Sequence, residues 1–114
     1  MRKQQIKNHL IELFNQLENE GRYDSGTTAL EVMRIIEYAL KIIDRYQLKS
    51  KAKNEVKKQT LNNLNAAYII ASRYYEIKYG FDVNTNINSK IVPHIYVNKT
   101  YNSLDYFIHK IFNE

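Results

Sequence analysis

A chain of 114 residues, 44% hydrophobic and 25% charged, has the length and composition of a single globular domain spanning 1–114 and not those of a disordered segment. With no cysteine it excludes disulfides, thiol nucleophiles and thiolate metal sites. A formal charge of +5 draws nucleic acid, anionic lipid and acidic protein alike, so charge alone does not choose a partner.

The opening residues Met1, Arg2, Lys3, Gln4 and Gln5 are polar and lead into an amphipathic stretch, unlike the apolar run of a signal peptide. The longest aliphatic-rich run, 66–71, is far too short to span a bilayer. These features predict a cytoplasmic protein without a membrane span. Lys, Asn, Ile and Tyr are abundant and have AT-rich codons, which points to an AT-rich bacterium, phage or mobile element as the source.

Residues 3–20 place Ile6, Leu10, Leu13, Phe14 and Leu17 at helical spacing, so one stripe is buried and the remainder is wet. Gly21 ends this helix and 21–26 form the connection. A second helix is predicted from Thr27 to about Gln47, with Thr28 and Glu31 spaced as a capping box. Glu31, Arg34, Glu37, Lys41 and Asp44 form its narrow polar stripe, and Glu37 and Lys41 are spaced as an i,i+4 ion pair. Leu30, Val32, Met33, Ile35, Ile36, Ala39, Leu40, Ile42 and Ile43 cover the rest. A helix so widely apolar is either central to the domain or shared with another chain, which raises a homodimer through this helix.

The third helix is predicted over 52–79, ending at Gly80. Leu61, Leu64, Tyr68, Ala71 and Tyr75 form one stripe, and Ala67, Ile70, Tyr74 and Ile77 an adjacent one. Asn62, Asn63 and Asn65 are poor helix formers and mark a site for a bend. Over 81–100, Asn84, Asn86, Asn88 and Ser89 are turn formers, while Val83, Thr85, Ile87, Ile91, Val92, Ile95, Tyr96 and Val97 favour strands. This segment reads as an irregular loop or a short β-hairpin, with Pro93 at an edge. A short helix over 103–113 follows, capped by Ser103 and docked through Leu104, Phe107, Ile108, Ile111 and Phe112. The expectation is an all-α domain, an antiparallel bundle of about four helices with that irregular or hairpin insertion before the last.

No pattern in the sequence points to catalysis, a metal or a cofactor. His109 follows Asp105 by four, the spacing of a metal pair or an oriented general base, but the expectation is a solvated pair on the exposed face opposite Phe107 and Ile111. His9 and Glu12 match a fragment of a zinc motif whose second histidine is missing. His94 follows Pro93 with no partner in sequence. Three scattered glycines make no phosphate-cradling loop. An enzyme is therefore not expected.

Two surfaces are candidates for binding a partner. Lys49, Lys51, Lys53, Lys57 and Lys58 form a basic stretch between the second and third helices, suited to phosphates or acidic side chains and equally to a solvated connection that keeps the protein soluble. Arg2, Lys3 and Lys7 join it if the fold lays the first helix alongside. Arg73, Tyr74, Tyr75, Lys78 and Tyr79 interleave cations with aromatics, as surfaces that stack bases or anchor proteins do. Tyr74 and Tyr75 also lie on apolar stripes, which equally suits the edge of a core.

In size, basic charge and helical plan the chain resembles the immunity proteins of pediocin-like bacteriocins. The likeness is architectural, carries over no residue, and stops at 81–100, where a plain four-helix plan has no counterpart. The function expected from the residues is a non-enzymatic protein-binding module. It would be a small inhibitor, immunity or anti-defence factor of phage or mobile-element type that occludes a partner protein. The alternative is a nucleic-acid-binding regulator acting through the lysines, although the long helices do not form a helix-turn-helix.

Overall fold

The stripe of α1 (Lys3–Glu20) is what the periodicity predicts. Ile6, Leu10, Leu13 and Leu17 are buried, while Phe14 sits half-buried at the edge with its ring 4.3 Å from that of Tyr101. The computed structural model describes the backbone of residues 3–20, 26–79 and 92–112, and the side chains of 3–17, 29–76 and 95–112. Three further helices follow: α2 (Gly26–Arg45), α3 (Lys51–Tyr79) and α4 (Val92–Phe112). The described residues contain no strand. The bundle measures 49 × 24 × 20 Å, its length set by α3, whose 29 residues extend about 43 Å.

Helix α2 packs on α1 and α3 and touches α4, while α1 and α3 make no contact among the described residues. Its buried set is Ala29, Val32, Ile35, Ile36, Ala39 and Ile43, with Met33, Leu40 and Ile42 packed at the margin. The wide apolar arc is therefore mostly used inside the chain. Leu30 and Tyr38 are left as its large exposed hydrophobics, at 42% and 54% exposure. The helix begins at Gly26, so Thr28 lies within the first turn and does not cap it. Glu37 accepts a hydrogen bond from Tyr68 Oη at 2.9 Å across the α2–α3 seam, in place of the expected pair with Lys41. That bond to a carboxylate holds the Tyr68 phenol above its ordinary value of 10.0, and desolvation and the carboxylate's charge push the same way.

Ser50 starts α3 as its N-cap, its Oγ accepting from the Lys53 amide at 3.1 Å. Asn54 ties the same turn to the incoming connection, donating from Nδ2 to the carbonyls of Leu48 and Ser50. The asparagines at 62, 63 and 65 do not interrupt the helix.

The expectation for 81–100 fails where it can be judged. Residues 92–100 are neither loop nor hairpin but the opening turns of α4, which is twice the predicted length; residues 81–91 lie outside the described set. Pro93 stands in the first helical turn, where its missing N–H leaves no bond unmade. Tyr96, Thr100, Leu104, Phe107 and Ile111 are all buried at steps of three and four, a continuous helical stripe. Strand preference spans only about 1 kcal/mol per residue, less than burial of one large side chain supplies. The buried hydroxyls of Thr100 and Ser103 bond within the helix, Thr100 donating to the Tyr96 carbonyl at 2.8 Å and Ser103 to that of Lys99 at 2.6 Å. Ser103 is thus an interior residue and not the cap expected.

Candidate partner-binding pole

Antiparallel packing gathers the start of α1, the end of α2, the start of α3 and the end of α4 at one pole. The neighbours are explicit. Ile6 faces Arg45 and Tyr46 across a groove, Lys57 reaches the last carbonyls of α2, and the Tyr46 ring stacks on Phe112 at 5.9 Å. Tyr106 donates to Gln59 Oε1 at 3.2 Å, tying the same halves of α4 and α3.

This topology collects cations. Lys3 and Lys7 come from α1, and Lys41 and Arg45 from α2. Lys49 lies in the connection, Lys51, Lys53, Lys57 and Lys58 in α3, and Lys110 in α4. Against them the same halves of the helices carry only Glu37, Asp44, Glu55 and Asp105. The surplus of positive charge in the described chain is therefore concentrated at one end. The N-termini of α1 and α3 point there as well, adding the positive ends of two helix dipoles. The first helix meets only the start of the connection, where Ile6 lies beside Tyr46 and Gln47, and has no contact with α3 among the described residues.

The lysines are not equivalent. Lys49, Lys51 and Lys58 are exposed. Lys57 is half-buried, and its Nζ donates to the carbonyls of Asp44 and Tyr46, both at 2.8 Å. It closes the C-terminus of α2, so its charge is turned inward to the backbone. Lys53 is also half-buried, in the first turn of α3.

Beside the lysines lies a groove of about 570 Å³ between α1 and α2, lined by Ile6, Lys41, Ile42, Arg45, Tyr46 and Gln47. Its floor is apolar and its rim carries two exposed cations one helical turn apart. Sequence reasoning missed it because Ile6 and Arg45 meet only through the packing of α1 on α2. The one available signal was the wide apolar arc of α2, of which Ile42 is part.

The second predicted surface lies elsewhere. About 33 Å of helix separates Lys51 from Arg73 at the usual rise, so the two sets are not brought together. Tyr74 is buried, its ring 5.9 Å from that of Tyr96, and serves the core. Tyr75 is half-buried and Arg73 exposed. Lys78 and Tyr79 belong to the last turn of α3, with side chains outside the described set.

The histidines with described side chains are His9 and His109. His109 Nδ1 lies 3.2 Å from Asp105 Oδ1 and 2.9 Å from that residue's carbonyl, with both side chains more than half exposed. His9 and Glu12 are exposed on α1, and the side chain of His94 lies outside the described set. Among the described residues no group of three or more His, Asp or Glu is placed to hold a metal ion. Among the same residues no helix is long and apolar enough to cross a membrane. Comparison with protein-family models, curated proteins and solved structures finds no match for this chain.

Proposed function

We propose that this chain is a non-enzymatic protein-binding module that acts by occluding a partner protein. It is a small cytoplasmic inhibitor, immunity or anti-defence factor of the kind phages and mobile elements carry. One observation supports the reading: the positive surplus and an apolar-floored groove rimmed by Lys41 and Arg45 lie at a single pole. Protein partners combine apolar anchors with a charged rim in this way. The test is affinity capture from a host lysate by the tagged chain. The expected result is one protein retained in stoichiometric amount, and released when Lys41, Arg45, Lys49 and Lys58 are all changed to Glu. Recovery of no stoichiometric partner refutes the reading.

A second reading, nucleic-acid binding, draws on the same cations, since each phosphate they neutralise adds affinity and salt sensitivity. A gel shift with salt titration separates the two; no retention of DNA or RNA at low salt removes this alternative. Self-association through α2 rests on Leu30 and Tyr38. Sedimentation giving a strict monomer at high concentration removes it.

A further inference from the structure

We infer that the groove between α1 and α2 is the docking site for a short acidic segment of the partner protein, one that carries a large apolar side chain flanked by carboxylates. The inference rests on the protein-binding reading and narrows it to a site and a chemistry.

Three features fix the occupant. The first is charge. Lys41 and Arg45 are exposed, stand at i and i+4 on the groove wall, and have no carboxylate partner among the described residues. Glu37, the residue spaced to neutralise Lys41, is held by Tyr68. Side chains four apart on a helix lie about 5–6 Å from each other at Cβ, which suits two carboxylates one turn apart on an incoming segment. Arg45 also offers the forked geometry that takes a carboxylate through two parallel bonds.

The second feature is the floor. Ile6 and Ile42 are aliphatic, and the volume of about 570 Å³ lies within the range of sites that enclose ligand-sized groups. An apolar anchor from the partner fills it, and the exposed ring of Tyr38 extends the same flank of α2 one turn further. The third feature separates protein from nucleic acid. Bases bind sequence-tolerantly by stacking on free aromatic faces. The aromatic ring lining this groove is Tyr46, which has one face against Phe112 with the planes 30° apart, and Tyr38 lies a turn away, so the groove itself holds no row of rings for successive bases. A groove with aliphatic walls and two cations takes a leucine or phenylalanine between glutamates better than it takes a nucleotide strand.

The experiment pans a displayed library of random short peptides on the whole chain, then measures enriched peptides by fluorescence anisotropy and amide chemical-shift mapping. Enriched sequences should place Asp or Glu within one turn of a large apolar residue. Their addition should shift the amides of Ile6, Ile42, Arg45 and Tyr46. The double variant Lys41→Glu, Arg45→Glu, built at exposed positions and checked for folding by circular dichroism, should weaken binding at least tenfold. Lys49→Glu, Lys58→Glu, outside the groove, should weaken it less than threefold. Peptides without acidic bias, shifts confined to another surface, or a double variant within threefold of wild type overturns the inference. Capture of the natural partner distinguishes the two levels. A partner retained equally by wild type and the Lys41→Glu, Arg45→Glu chain sinks the groove assignment alone, whereas a wild-type chain that captures nothing sinks the protein-binding reading beneath it.

Discussion

Lys57 and Lys58 are neighbours of the same type, and the fold gives them different work. Lys57→Met keeps the apolar stem and removes the ammonium that bonds the carbonyls of Asp44 and Tyr46 at 2.8 Å each. The last carbonyls of a helix have no partner within it. Here the Tyr46 amide bonds the Ile43 carbonyl at 3.1 Å and Lys57 serves the next one. A hydrogen bond to a charged group contributes about 1.5–3 kcal/mol when well shielded. One of these two is exposed and the other partly buried, so about 1–2 kcal/mol for the pair is the reasonable sum. Unfolding entropy near 60 °C is about 2.1 cal/mol/K per residue, or about 0.24 kcal/mol/K for 114 residues. Lys57→Met should therefore lower Tm by about 4–8 °C. Lys58→Met, at an exposed position, should change it by less than about 2 °C. Differential scanning calorimetry of both variants at one salt concentration decides the matter. Equal Tm values would refute the assignment of Lys57 to the backbone and return it to the free surface.

Ser50→Ala removes the N-cap of α3 and should lower stability by about 1 kcal/mol, seen as a lower urea midpoint with unchanged slope; an unmoved midpoint would contradict the cap. Tyr68 has a folded pKa raised by its bond to Glu37, so the folded state holds this proton more tightly than the unfolded chain does. Its contribution is present below pH of about 10 and is lost as pH rises through the higher folded value. Tyr68→Phe should flatten that alkaline decline, and a difference from wild type that stays constant from neutral to alkaline pH would argue against the bond. Crowding of cations at one pole should make the protein more stable as salt rises, since the screening length falls from about 30 Å at 0.01 M to about 8 Å at 0.15 M. A Tm that falls over this range would mean that ion pairs, not repulsion, dominate.

How much of this was legible depended on whether the information is local. Ile6, Leu10, Leu13 and Leu17 carry their helix in their spacing, and the burial of all four follows it. The long third helix was legible for the same reason, with its start off by one residue. The start of α4 was not. Val92, Ile95, Tyr96 and Val97 favour strands locally, and only the neighbouring α3, which supplies Tyr74 for Tyr96, rewards the helical register. The pole was partly legible, since short connections imply antiparallel neighbours and hence which helix ends meet. The division of labour within it was not, because nothing near Lys57 in sequence distinguishes it from Lys58. That distinction is made by the carbonyls at the end of α2, which α3 meets only after the chain has turned.

The separation of the two predicted surfaces has a consequence for binding. A partner face of ordinary size, about 800 Å² per side, covers roughly 30 Å across and cannot bury the pole and Arg73 together. Of the second predicted set, Tyr74 is committed to the core, Tyr75 is half-buried and Arg73 exposed, while the side chains of Lys78 and Tyr79 lie outside the described residues. The pole offers both ingredients, at different ranges. Its dispersed lysines act over a screening length and so govern the rate of encounter, while the groove acts only on contact and so governs the lifetime of the complex. Substituting Lys49 or Lys58 should slow association in a salt-dependent way, and substituting Ile42 should speed dissociation at any salt. Both effects belong to one pole because antiparallel packing brings the four basic helix ends to the end of the bundle at which the groove lies.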